Sequence, residues 1–336
     1  MEYRSLGRTG VQVSTLCLGC MMFGGRTEPE DSYAIIDRAL DAGINFLDTA
    51  NVYSQGRSEE VVGQALKRNG KRHQIVLATK VHGRMANDDP NAQGNSRRHI
   101  IEQCEASLRR LQTDTIDLYQ IHRPQPSIPI DETLRALDDL IRAGKVRYIG
   151  TSTFAAWQVV ESLWASKEWG LNRFVCEQPP YHILDRRIER ELLPMAQTYG
   201  LAIIPWSPLA GGLLSGKYQR DQDAPADSRF ASIEDKPWLQ RRWHEGVFDV
   251  LEGLEPLVQA KGCTLAQFAL AWCVQQPGVT SPIIGPRTME QLEDNLGALD
   301  VVITEADRAK IDELVPPGRM VSPFYDAEFG PHPYRW

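Results

Sequence analysis

The sequence predicts an α/β fold closed into a (β/α)8 TIM barrel, with residues 1–336 forming one domain. Three observations carry that prediction. Eight short apolar runs alternate with longer amphipathic ones, the pattern of parallel strands joined by helices. The first run, "LCLG", leads into "CMMFGG" and not into the G-x-G-x-x-G turn that an open dinucleotide-binding sheet requires. A length of 336 residues exceeds the usual single domain but suits one large barrel.

Residues 3–14, with "GRTG" at their centre, read as a β-hairpin that caps the lower end of the barrel. The eight strands are then "LCLG" (16–19), "NFLDT" (45–49), "IVLATK" (75–80) and "IDLYQIH" (116–122), followed by "VRYIGTS" (146–152), "FVCEQ" (174–178), "AIIPWS" (202–207) and "PIIG" (282–285). Between them, "EDSYAIIDRALDAG" places Tyr33, Ile36 and Leu40 on one helical face and ends at Gly43. "SEEVVGQALKRNG" has Ser58 at its start, an acidic first turn, a basic last turn and Gly70 as its stop. "IDETLRALDDLIRAGK" turns Leu134, Leu137 and Ile141 inward, and "TMEQLEDNLGAL" follows the last strand. The stretch 218–246 after strand seven is long for a loop and is expected to be functional. The final twenty residues, rich in proline and aromatics, read as a tail laid over the barrel.

Composition excludes several classes. Hydrophobic residues make up 42%, enough for a sizeable core, and 37 basic residues against 44 acidic ones leave a net charge of −7. No basic block offers a nucleic-acid or membrane surface. The opening "MEYRSLGRTG" has no apolar signal core, and no apolar run approaches a membrane span, so a cytoplasmic location is expected. Cys17 and Cys20 form a C-x-x-C, but no second pair or well-spaced histidine accompanies them, so they read as two barrel-end thiols and not as a zinc site.

Chemistry in such a barrel sits at the C-terminal ends of the strands. Strand two ends in Asp48, with Tyr53 in its loop; strand three ends in Lys80 and strand four in His122. Thr151, Ser152 and Thr153 end strand five, Gln178 strand six, and Trp206 and Ser207 strand seven; strand eight runs into Gly285 and Arg287. Taken singly, each has a bland reading as a cap, a rim charge or packing. Taken together on one rim they make a device. A free phenol, with a pKa of about 10, is a poor acid near neutral pH. A neighbouring ammonium favours the phenolate, and a carboxylate keeps that ammonium charged in a dry pocket. A neutral imidazole can hydrogen-bond the substrate oxygen. Asp48 is therefore expected to hold Lys80, Lys80 to tune Tyr53, and the set to protonate a carbonyl oxygen while a donor attacks the carbon.

In these residues the chain resembles the aldo-keto reductases nearly end to end, and more the bacterial and potassium-channel β-subunit branch than the aldose-reductase branch. "NFLDTANVY", "LATK" and "DLYQIHRP" look like the segments carrying the catalytic Asp48, Tyr53, Lys80 and His122, while "GTSTFAAW", "EQPPYH", "PWSPLAGGLLSGKY" and "IIGPRTMEQLEDNLGAL" fall in order with cofactor segments. The resemblance implies reduction of an aldehyde or ketone by NADPH, reversible with NADP+. It implies Tyr53 as the general acid, supported by Lys80 and Asp48, with His122 orienting the carbonyl. Ser152 and Gln178 would hold the nicotinamide, with Trp206 stacked on it and Gly19, Cys20, Met21 and Thr153 beside it. Ser207, Pro208, Leu209, Gly211, Lys217 and Arg229 would cover the pyrophosphate side. Gly285, Arg287, Gln291, Asp294 and Asn295 would bind the adenosine end, Arg287 pairing the 2′-phosphate. One departure stands out: many relatives have Ser-Asn where this chain has Ser152-Thr153. A threonine hydroxyl lacks an amide's reach, which puts the carboxamide contact at 153 in question.

Rival readings have specific marks. "GGLLSGKY" nearly spells a phosphate-binding P-loop, but Tyr218 stands where a Ser or Thr must hold magnesium. A Schiff-base aldolase would use Lys80 as its nucleophile. A cofactor-binding regulatory or sensor subunit would keep the cofactor segments with little turnover. The expected partner is a small carbonyl compound, its pocket walled by Met21, Phe23, Tyr53 and Trp238 or Trp243, while Phe324, Tyr325 and Trp336 either close the mouth or pack elsewhere.

Overall fold

The computed structural model describes residues 1–226, 228–231 and 237–322, with Pro237 and Trp238 described by backbone alone. Strands β1 (Tyr3–Ser5) and β2 (Gln12–Ser14) pair antiparallel as the predicted hairpin. The barrel strands are β3 (Cys17–Gly19), β4 (Phe46–Asp48), β5 (Val76–Val81), β6 (Ile116–Ile121), β7 (Val146–Ser152), β8 (Cys176–Gln178), β9 (Ala202–Ile203) and β10 (Ile283–Ile284). All neighbours pair parallel, in the order β10-β3-β4-β5-β6-β7-β8-β9. The two ends of that order meet: Thr280 N–H donates to the Ile203 carbonyl and Ile283 N–H to the Pro205 carbonyl, each at 2.8 Å. The sheet thus curls into a (β/α)8 barrel.

Side chains on a strand alternate between faces, and that period of two sets up the site. The lower interior is apolar: Cys17, Phe46, Ala78, Leu118, Cys176 and Ala202 form one cluster, plugged from below by Leu6 and Val13 of the hairpin. Two residues further along four of these strands, the inward position becomes polar: Asp48, Lys80, Gln120 and Gln178. The dry lower layer keeps water from reaching these groups from beneath. The outward positions, among them Leu47, Leu77, Tyr119 and Ile149, belong to a second core packed against the helices.

Helices α1 (Pro29–Asp41), α2 (Arg57–Asn69), α3 (Arg97–Leu111), α4 (Ile130–Arg142), α5 (Ala156–Trp169) and α6 (Leu192–Tyr199) follow the strands in turn. A short α7 (Pro237–Gln240), then α8 (Glu245–Lys261), α9 (Leu265–Val274), α10 (Met289–Gly297) and α11 (Glu305–Leu314), complete the chain's helices among the described residues. Three details differ from expectation. In α1 the fully buried stripe is Ile35, Ile36 and Ala39, with Tyr33 and Leu40 at its edges, because the barrel surface meets a broader arc of the helix. In α4, Leu140 and not Ile141 completes the buried face. Ser58 does not cap α2: Gly56, at φ 91°, precedes the helix, and the Ser58 hydroxyl turns inward to the Cys20 carbonyl at 2.7 Å.

The long loop after β9 packs through aromatic rings. Tyr218, Phe230, Trp243 and Phe248 stack edge-on or tilted with centroids 5.1 to 5.4 Å apart. Trp243 belongs to this plug and not to a pocket wall. Past α11, Val321 N–H donates to the Leu184 carbonyl at 2.9 Å, so the chain lies along the loop after β8. The Trp238 side chain, Phe324, Tyr325 and Trp336 lie outside the described residues. No single helix among the described residues is long and apolar enough to cross a membrane.

Candidate active site

Lys80 is the centre of the polar layer. It is fully buried on β5, and its Nζ forms an ion pair with Asp48 Oδ1 and donates to the Thr49 carbonyl at 2.9 Å. Its third partner is the Tyr53 hydroxyl, at 3.4 Å. Burial alone would depress the ammonium, but Asp48 and then Tyr53 outweigh it and raise the Lys80 pKa above its ordinary value. A lysine held cationic in this way is a poor imine-forming nucleophile, which counts against the Schiff-base reading.

The other Asp48 oxygen is also committed. Gln120 Nε2 and Gln178 Nε2 both donate to Oδ2 at 3.0 Å, and Gln178 Nε2 also reaches Gln120 Oε1 at 3.1 Å. Asp48, only 3% exposed, thus has donors on both oxygens, so neither buried oxygen lacks a hydrogen-bond partner. Gln120 was not among the sequence candidates.

Tyr53 reaches the layer from a tight turn. After it, Ser54 (φ 48°), Gln55 (φ 54°) and Gly56 (φ 91°) are all left-handed, which reverses the chain into α2. His122 lies just past β6, its ring edge-on to Tyr53 with centroids 5.6 Å apart. Burial, and then the Lys80, Arg123 and His82 charges, push the His122 pKa well below its usual value, so the imidazole is neutral.

These groups form one end of a cavity of about 560 Å³. Asp48, Tyr53, His122, Ser152, Gln178 and Trp206 line it at that end; Gly19 and Met21 line it too. Ser207, Pro208, Leu209, Gly211, Lys217 and Arg229 continue the wall, and Gly285, Arg287, Gln291, Asp294 and Asn295 finish it. Gly19 has no room for a side chain: an added Cβ would sit 2.5 Å from Ile283 Cγ2. Several expected residues do not line the cavity. Lys80 lies beneath it. Cys20 is buried, its backbone bound to the Asp48 and Ser58 groups on either side. Thr153 is buried at φ 64°, its hydroxyl accepting from Arg123 at 2.6 Å. Phe23, expected in the wall, is fully buried in the outer core.

The cavity also contains residues the sequence reading missed, among them Met22, Arg26 and Arg123. Arg26 comes from the loop after β3, whose next residue, Thr27, donates to the Arg287 carbonyl at 3.2 Å. Burial, and then the Arg26 and Arg287 charges, lower the pKa of Arg229. Three guanidinium groups crowded at one end of a groove create an electrostatic demand for a polyanion. A nicotinamide dinucleotide fits this layout. The cations suit its phosphates, Trp206 offers a flat face beside the polar layer, and Gln291 Oε1 is held by Arg287 N–H at 2.8 Å. The turn Ala210–Ser215 places Gly211 and Gly212 at φ 67° and 107°, letting the backbone run close along the groove.

Comparison with known proteins agrees with this geometry. The family model described as Aldo/keto reductase family matches residues 15–316. A "Probable voltage-gated potassium channel subunit beta" of Arabidopsis thaliana is 39% identical over 320 residues, covering 94% of this chain and 97% of that protein. A protein of the same description from Oryza sativa subsp. japonica is 39% identical over 305 residues, covering 90% and 92%. "Uncharacterized oxidoreductase YrpG" of Bacillus subtilis (strain 168) is 40% identical over 324 residues, covering 94% and 96%. The barrel, the strand-end residues that meet at its rim and a match across residues 15–316 lead to one conclusion: the chain belongs to the aldo/keto reductase family.

Proposed function

We propose that the protein reduces an aldehyde or ketone to its alcohol with NADPH, reversibly. One observation carries this reading: the Lys80 ammonium is tied to Asp48 and lies 3.4 Å from the Tyr53 hydroxyl, at one end of a groove whose other end is cationic. When bound, the reduced cofactor supplies a hydride to the carbonyl carbon. Tyr53 gives its proton to the carbonyl oxygen. Lys80, kept charged by Asp48, stabilises the phenolate left behind. Neutral His122 holds the carbonyl oxygen by a hydrogen bond and so aims it at Tyr53. Ser152 and Gln178 would hold the nicotinamide amide, Trp206 would stack on its ring, and Lys217, Arg229 and Arg287, which line the same groove, would hold the phosphates.

A second reading has a specific observation in its favour: two plant relatives carry a potassium-channel subunit description. A regulatory subunit would bind NADPH and turn over little. Consumption of NADPH with a panel of aldehydes and ketones tests the first reading. Turnover abolished in Tyr53→Phe with cofactor binding intact supports the reductase; binding without turnover in the unmodified protein supports the regulatory subunit.

A further inference from the structure

The proposed proton transfer gives no role to several buried acids, Glu59 among them. Glu59, in the first turn of α2, is fully buried on the outer side of the barrel wall. One oxygen accepts from the Thr79 hydroxyl at 2.5 Å and the other from Arg110 Nε at 2.6 Å. Thr79 directly precedes Lys80 on β5, and by strand alternation it faces outward where Lys80 faces inward. Glu59 follows the turn that carries Tyr53 by six residues. Its carboxylate therefore ties the element bearing the phenol to the strand bearing the ammonium.

Arg110 of α3 braces the same turn. Its Cδ would lie 2.8 Å from a Cβ at Gly56, so its stem lies directly against the backbone there. That turn needs bracing. Ser54 and Gln55 are non-glycine residues in the left-handed region, which is costly and persists only where the surroundings hold it. Ser58 adds a second tie, sharing a hydrogen bond with the Thr49 hydroxyl at 2.8 Å. The phenol–ammonium separation is thus set from outside the cavity.

We infer that Glu59 is a positioning residue for proton transfer, locking the Tyr53 turn to the Lys80 strand through Thr79 and Arg110. The inference rests on the proton-transfer roles proposed for Tyr53 and Lys80. It touches no cofactor-lining group, so it separates the chemical step from cofactor binding.

The test uses the full chain with NADPH and nitrobenzaldehyde. Thr79→Val removes one donor with little change of volume, Thr79→Ser restores the hydroxyl, and Glu59→Gln keeps an acceptor while losing the charge facing Arg110. Thr79→Val and Glu59→Gln are expected to lower kcat about tenfold or more, because small misplacements of reacting groups are amplified in rate. NADPH affinity stays unchanged, the solvent deuterium isotope effect on kcat rises, and Thr79→Ser returns towards the unmodified rate. An unchanged kcat in both variants overturns the inference. So does a loss of kcat matched by loss of NADPH affinity with the isotope effect unmoved, which is how a merely structural residue behaves. If Glu59→Gln does not fold, the Thr79 pair decides alone. If the unmodified protein binds NADPH yet reduces no carbonyl, the proposed function fails and the inference falls with it.

Discussion

Gln178 Nε2 and Asp48 Oδ2 lie 3.0 Å apart, which makes Gln178 a support of the Asp48 carboxylate as well as part of the cavity wall. Gln120 donates to the same oxygen at the same distance. Replacing Gln120 by Leu leaves Asp48 one donor short without touching the cavity wall. The expected result is a loss of about 1.5–3 kcal/mol in stability, the usual worth of a hydrogen bond to a charged group, with a fall in kcat. Urea unfolding and steady-state kinetics on the same preparation check it. Stability and kcat both unchanged would show that Asp48 does not need this donor.

Tyr53→Phe removes the proposed proton donor and little else, because the ring's contact with His122 survives. The expected loss in kcat is about a thousandfold, within the range for removing a general acid. NADPH affinity, read by quenching of tryptophan fluorescence, should not move. Turnover near the unmodified level would end the assignment of Tyr53.

Arg287 lines the groove near Arg26 and Arg229, and its charge is one cause of the lowered Arg229 pKa. If it pairs the 2′-phosphate, Arg287→Ala should weaken NADPH binding by about 10- to 100-fold, as expected for a charge-assisted contact, and leave NADH nearly alone. Titration with each cofactor checks the difference. Equal losses would mean that Arg287 contacts a group common to both.

Much of this site was legible because barrel strands place chemistry where apolar runs stop. Asp48, Lys80 and His122 end or directly follow such runs, and Tyr53 follows within one turn. Gln120 was not legible: it sits inside "IDLYQIH", and only the pleat of β6 in the closed barrel decides that it faces inward with Leu118 while Tyr119 and Ile121 face out. Its signal was parity, two residues beyond Leu118 and two before His122. Ser58 misled for a different reason. A serine opening a helix normally caps it, but three left-handed residues before α2 rotate its hydroxyl into the wall. Arg26 sits in a loop, where no periodicity constrains it.

Two buried groups give stability opposite pH slopes, and they can be separated. His182 is fully buried, and burial above all lowers its pKa to about 4. Its folded value lies below the unfolded one, so its contribution is intact above pH about 6.5 and is lost as pH falls towards 4, a loss of about 3 kcal/mol. Glu177 is the reverse case. It is fully buried beside its strand partner Thr151, accepts the Phe154 N–H at 3.1 Å, and burial raises its pKa to about 8. The folded chain keeps a proton there that the unfolded chain releases near pH 4.5. Its contribution is therefore full below that pH and is lost as pH rises through 8. Glu177→Gln keeps the amide-sized group and the acceptor while abolishing the titration. Relative to the unmodified protein, it should gain stability steadily from pH 5 to pH 8, on the order of several kcal/mol in all. Urea unfolding at a series of pH values measures the difference. A gain that is flat with pH, or one that grows towards acid, would mean that Glu177 is already ionised in the folded chain, with its charge met by the backbone N–H groups of the Ser152–Phe154 turn.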